Sequence, residues 1–488
     1  MTFTAACGWS LLRSAIVAVV GLWGAVHLNR LLAQQRVLPA PAGWMLLAAP
    51  FLAPGLVVGY GYRNYSLSLV HYPTWNEALY AAILVAQATP VGVLMLHFAP
   101  PSPLSASAVH CVRLARLQRG ATFGEGVRRR WAAIAAAWRG PRQTWLAAAA
   151  MMFLIAFQES ETAALMQVRG WPEWLFTRYA GLVDLTATRQ KLLTLVAIQA
   201  VILIPVLVWL WRNLTLPPRS RHDAPPGSNP LWWAWPVSGA ALVSVVPSLL
   251  VLRGVWDGFA ILGDQPSFWR ELLHGVVFAA TSGGLAFTLS GVLLGRISRR
   301  DSESSPGSVA GWVMAGFLGL LLLPGFCGSM TLALLVDDLF QHSWLSWAYD
   351  TPARMLTALT LCLLPRAVLI RTCVPIDRTS PERQTAGLLH AGTVRQQHAA
   401  RELDWRLLGS RRFWALVVIC SWGYLDLMIA TISAPVGMEP VVKRLYNFMH
   451  FGHIAGLSAM VFVTVASPLL VVIAMLLARR SWSRWKPA

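Results

Sequence analysis

The sequence is short of charge. Only 12% of its 488 residues are Asp, Glu, Lys or Arg, where a water-soluble domain carries roughly 25%. That is too little to coat a water-facing surface, so a soluble globular enzyme is excluded. Lysine is almost missing: Lys191, Lys443 and Lys486 are the only three. Cysteine is sparse as well. The six cysteines (Cys7, Cys111, Cys327, Cys362, Cys373 and Cys420) include no CxxC pair and no histidine at ligand spacing. A disulfide framework and a zinc site are therefore excluded, and apolar packing is the ordinary use of such cysteines. No GxxxxGK[ST] phosphate loop, HExxH or GxSxG occurs, so the chain carries no recognisable site for hydrolysing nucleotide. Ten-residue segments of alternating polarity are missing too, which excludes a transmembrane barrel.

What the chain has is apolar length. It is 56% hydrophobic with a mean hydropathy of +0.54. Runs of about 20 apolar residues recur, each long enough to cross roughly 30 Å of hydrocarbon as a helix. The pattern predicts an all-α polytopic membrane protein with about eleven spans, near 9–31, 43–61, 75–98, 144–166, 191–211, 231–252, 271–295, 309–336, 351–373, 413–432 and 454–478. Arg13 lies inside the first run and no small-residue cleavage site follows, so that run reads as a retained span, not a signal peptide.

The net charge of +19 reads as cationic loops held on one side of a membrane, not as nucleic-acid binding. Arg113 to Arg142, Arg219 and Arg221, Arg296 to Arg300, Arg378 to Arg412 and the tail from Arg479 fall in loops that alternate onto one side. That side is the cytoplasm, which puts the C-terminus inside and the N-terminus outside. Residues 213–230 are rich in Pro, Gly and Ser. They read as a cytoplasmic linker between a first part, 1–212 with five spans, and a second, 231–488 with six.

The two parts repeat one another. The run GWMLLAAPFLAPG resembles GWVMAGFLGLLLLPG, and each leads to an outside loop, a span and a long Arg-rich inside loop. The first inside loop holds Gly120, Trp131 and Ile134, and the second holds Gly392, Trp405 and Leu408. Both parts keep the same order and sidedness, which makes a parallel repeat. The span at 231–252 has no counterpart in the first part; either that helix was lost or the start lies upstream of Met1.

This order of spans, with one long inside loop per half, resembles a binding-protein-dependent ABC transporter permease. The nearest subgroup is the fused two-half permeases of iron(III) and related small-anion uptake. The most specific matches are Pro435-x-Gly437, Arg444-Leu445-Tyr446 and His450-Phe451-Gly452 in the second outside loop. The resemblance implies a type I importer fold in an inner bacterial membrane and no cofactor. It also implies two copies of an ATPase subunit and a periplasmic substrate-binding protein. In that family the inside loop carries an EAA–x3–G element whose short helix docks on the ATPase. By that match the coupling residues are Ala115, Gly120 and Trp131 in the first loop, and Glu382, Ala386, Gly392 and Trp405 in the second. The motif is degenerate: Leu114-Ala115-Arg116 and Ala386-Gly387-Leu388 stand where the family has Glu-Ala-Ala.

Charged residues near spans are the remaining candidates, because charge at membrane depth is costly and faces a cavity or a partner. Glu159, Glu161 and Asp426 are such residues, placed either on a pathway or, at less cost, at the outer interface. On a helix Glu159 and Glu161 would point to different faces. Pro435, Gly437 and His450 complete the candidate outer gate. His450 and His453 are spaced to share a metal, though two ligands alone more often pack or cap. Two other readings stand beside the permease. A gradient-driven secondary transporter calls for polar residues deep in several spans, and few are present. A lipid-modifying membrane enzyme would use Glu159, Glu161 or Asp426 as a base.

Overall fold

A computed structural model describes residues 2–34, 40–69, 71–99, 142–180, 185–215, 229–263, 265–300, 309–342, 344–373, 381–451 and 456–485, together with Cys111 and Leu114. Among these residues every regular element is helical and no strand occurs. Among the described residues seven helices are long and apolar enough to cross a membrane, or up to ten if each of three bent pairs is one span. The chain is a multi-pass membrane protein by this measure.

In chain order α1 is Phe3–Gln34, α2 Ala40–Leu52, α3 Gly55–Leu69 and α4 Pro73–His97. Then come α5 (Arg142–Gln158), α6 (Glu161–Leu165), α7 (Trp171–Ala180) and α8 (Leu185–Thr215). Next are α9 (Pro230–Leu252) and α10 (Val255–Leu262). The rest are α11 (Pro266–Arg300), α12 (Val309–Phe326), α13 (Ser329–His342), α14 (Pro352–Cys373), α15 (Pro381–His390), α16 (Val394–Asp404), α17 (Ser410–Tyr424), α18 (Leu427–Ser433), α19 (Val441–Phe451) and α20 (Leu457–Trp485).

Packing follows the same scheme twice. Helices α1, α4 and α5 pack pairwise, and so do α11, α14 and α17. Prolines open α4, α11 and α14, where a missing N–H costs nothing. Close approach is set by glycine. A Cβ on Gly325 of α12 would lie 2.2 Å from the carbonyl oxygen of Leu361 in α14, so only glycine fits. Helix α9 lies on α2 and α3, where the Tyr62 hydroxyl donates to the Leu242 carbonyl at 2.6 Å.

Four expected spans are not continuous helices. The one at 43–61 bends by 68° between α2 and α3, at Pro54, which cannot donate to the helix ladder. The one at 309–336 bends by 100° at Gly328, whose φ of +85° suits glycine. The one at 413–432 bends by 54° before Leu427, and 144–166 stops at Gln158 and restarts at Glu161. Hydropathy reads through such breaks because their flanks stay apolar. The described part of α5 is 17 residues long. The second inside loop is helical: α15 and α16 pack together as a hairpin, closed by a Thr393–Gln396 capping box and a 2.7 Å His390–Asp404 contact.

Candidate functional site

The four helix breaks meet. Glu159 and Ser160 are the non-helical pair between α5 and α6. The Glu159 carboxylate turns back onto its own chain, accepting the Thr162 N–H at 2.6 Å and the Ala163 N–H at 3.1 Å. These are donors a helix start leaves open. Its Oε2 also accepts the hydroxyl of fully buried Tyr80 at 2.6 Å. Arg13 lies 4.8 Å over that tyrosine ring and pairs with Glu77 at 2.7 Å.

Asp426 performs the matching task for α18. Its side chain accepts the Ile429 N–H at 3.1 Å, and the Ser329 hydroxyl, at the start of α13, bonds to it. Cys362 of α14 approaches it at 3.8 Å. Glu161 reaches the other way and accepts the Leu427 N–H at 2.9 Å. A Cβ on Gly55, at the start of α3, would stand 2.9 Å from its Oε2. Gln158 closes the circuit by donating to Gln199 of α8 at 2.7 Å and to the Phe326 carbonyl at the end of α12. Arg366 of α14 lies close enough to Asp426 and Glu161 to interact electrostatically with both.

Glu159 and Glu161 therefore do point apart, but the broken backbone separates them and not helical geometry. None of the three is exposed: Asp426 is buried and the two glutamates are half-buried among these breaks.

A cavity of about 1300 Å³ opens beside this cluster, at the end of the bundle that carries α7 and α19. Arg13, Glu77, Ser160 and Phe176 wall it from one side, and Met428 and Tyr446 from the other. At its rim, burial pushes the Glu173 carboxyl up from its ordinary range while neighbouring Arg169 pulls it back.

A second polar knot ties the same end together. Asp337 of α13 and Arg354 of α14 are both buried and pair at 2.7 Å. Asp337 also accepts from Tyr179 of α7, from Tyr349 at 3.1 Å and from Gln341 at 3.1 Å. Arg354 stacks 4.0 Å over Tyr349 and donates to the carbonyls of Ser433 and Ala434 at 3.4 Å each. The sequence reading missed this knot, along with Arg366, Tyr80 and Gln158. Arg354 and Arg366 carried a usable signal, being arginines inside an apolar run.

The other candidates fall in different places. Pro435 is buried in the turn before α19, accepting the Met438 N–H at 3.2 Å. Gly437 has φ +80° and open space around it. The His450 backbone belongs to α19; its side chain and all of His453 lie outside the described residues, as do Ala115, Gly120 and Trp131. Glu382 lies on α15, its side chain outside the description. Ala386 is buried against the hairpin, Gly392 is in its turn, and Trp405 sits beneath Arg479 at 3.5 Å. Among the described residues no group of three or more His, Cys, Asp or Glu is placed to hold a metal. No protein-family model, no curated protein and no solved structure matches this chain.

Proposed function

We propose that this chain is the permease subunit of an ATP-driven importer, with both halves of the transport path on one polypeptide. The carrying observation is the meeting of four helix breaks, two from each repeat, beside one cavity that both repeats wall. Broken helices at a shared interface give a transporter polar backbone inside the membrane without exposing it to lipid. The element order supports the same reading. Long helix, bent pair, helix, broken helix, short helix and long helix run from α1 to α8, and again from α11 to α20 with the α15–α16 hairpin following α14.

In this reading the cavity faces the periplasm and receives a small solute from a secreted binding protein. The C-terminus lies in the cytoplasm of a bacterial inner membrane. The α15–α16 hairpin presents Leu388, 77% exposed, to one ATPase subunit, and the Arg-rich segment 100–141 serves a second. ATP is hydrolysed on those partners, and closure of their dimer rocks the halves about the breaks. A gradient-driven carrier is the second reading, favoured by the Glu161, Asp426 and Arg366 charges gathered at the breaks.

Affinity purification of the tagged full chain from its native membrane separates the two. The importer reading expects an ATPase subunit to co-purify, and Leu388→Asp to reduce its recovery at least about tenfold while leaving the melting temperature unchanged. Purification without any nucleotide-binding subunit, together with uptake abolished by a protonophore alone, would establish the carrier instead.

A further inference from the structure

The cavity walls bear on what is carried, an inference that rests on the transport reading above. Two arginines, Arg13 and Arg169, and two glutamates, Glu77 and Glu173, line it. Arg13 and Glu77 neutralise one another at 2.7 Å, yet the Arg13 Nε is buried with no hydrogen-bond partner, a donor left over. Arg169 and Glu173 remain at the exposed rim, close enough for the arginine to act on the carboxyl. Between the charges the walls combine apolar and aromatic side chains (Trp9, Phe176, Met330 and Met428) with neutral polar ones such as Asn76 and Asn447.

Different cargoes make different demands. A bare ferric ion calls for several anionic oxygen ligands, and an inorganic oxyanion for a surplus of positive donors. This cavity offers neither, since its charges balance. A chamber that is apolar for the larger part and carries uncharged polar groups beside balanced charges suits an organic ligand. A rim with one arginine beside one glutamate adds a matched pair of ends, the guanidinium for a carboxylate and the carboxylate for an ammonium.

We propose that the cavity between α1, α4, α7 and α19 binds a small zwitterionic organic solute with an apolar or aromatic body, of the amino-acid class, and not a metal ion or inorganic anion. The Arg169–Glu173 rim reads its two charges, and the Trp9, Phe176 and Met428 walls hold its body.

The test is calorimetric titration of the purified full chain in lipid nanodiscs. The probes are L-phenylalanine, 3-phenylpropionate (no ammonium), phenethylamine (no carboxylate), ferric citrate and inorganic phosphate. The expected order is phenylalanine at least about tenfold tighter than either half-molecule, with no heat from ferric citrate or phosphate. Glu173→Gln removes the tenfold advantage over 3-phenylpropionate, and Arg169→Gln removes it over phenethylamine. Both positions are exposed, so the fold tolerates the changes. Ala78→Trp, which projects a large ring into open space at the wall, abolishes binding. Equal affinity for the three organic probes, binding of ferric citrate or phosphate in place of phenylalanine, no binding of any probe, or binding indifferent to Ala78→Trp would each overturn the proposal. The titration needs no ATPase. Binding without ATPase co-purification would sink the importer and keep this site, and the reverse result would sink only the site.

Discussion

Removing Asp337 should damage the protein more than removing its partner Arg354, and the reason is visible in what each leaves behind. Without Asp337, the Arg354 guanidinium stays buried with two backbone carbonyls at 3.4 Å and one tyrosine face. It cannot shed its charge, because a guanidinium does not lose its proton in proteins. Without Arg354, the carboxylate keeps three neutral donors, Tyr179, Tyr349 and Gln341. Breaking a buried pair by deleting one member costs about 3–5 kcal/mol, which is the expectation for Asp337→Leu. Arg354→Met, with the donors still in place, should lose roughly 2 kcal/mol, the scale of one hydrogen bond to a charged group. Unfolding entropy of roughly 2 cal/mol/K per residue makes a 488-residue chain melt about 1 °C lower per kcal/mol. Asp337→Leu then melts about 3–5 °C below wild type and Arg354→Met about 2 °C below. The double variant, with no stranded charge, should melt no lower than Asp337→Leu alone. Thermal unfolding followed by size-exclusion fluorescence in one detergent measures all four proteins. Strictly additive losses, or a larger loss from Arg354→Met, would refute the reasoning.

Two further predictions concern the helix breaks and their packing. Gly325→Ala forces a methyl into the Leu361 carbonyl and should cost about 1–3 kcal/mol or more. Gly316→Ala on the same helix meets nothing within 4 Å and should leave the melting temperature unchanged, so equal behaviour of the two would contradict the close-packing account. Glu161→Gln keeps an oxygen for the Leu427 amide and should fold normally. Glu161→Ala strands that amide and should cost about 1–3 kcal/mol, and melting curves of the pair decide whether the contact is formed.

The bundle was legible in the sequence because hydrophobic length is a local property. Ten of the expected spans overlap a long helix or a bent pair, and the extra helix at 231–252 is α9. The breaks were not legible. Gly328 sits in a run so apolar that hydropathy cannot register a 100° turn, and Ser160 and Asp426 reveal themselves as helix starts only once the chain beyond them is seen to turn. Glu159, Glu161 and Asp426 were found by type, as acids near spans, but their partners are long-range. The amide bonded to Glu161 is 266 residues away, and no spacing rule reaches that far. Asp337 falls one residue beyond the expected span at 309–336. Its partners are Arg354 and Tyr179, the latter 158 residues away on α7.

That long separation between Glu161 and Leu427 has a consequence for how the protein is made. Helices α6 and α18, of five and seven residues, are too short to cross a bilayer on their own. The carboxylate at the start of α6 finds its amide only after the ribosome has added 266 more residues. At about 5–20 residues per second, that is a wait of roughly 13–50 seconds. Throughout that interval the Glu161 carboxylate lacks the amide that it holds in the finished fold. Contact between the two parts of the chain at this point therefore waits for synthesis to reach Leu427.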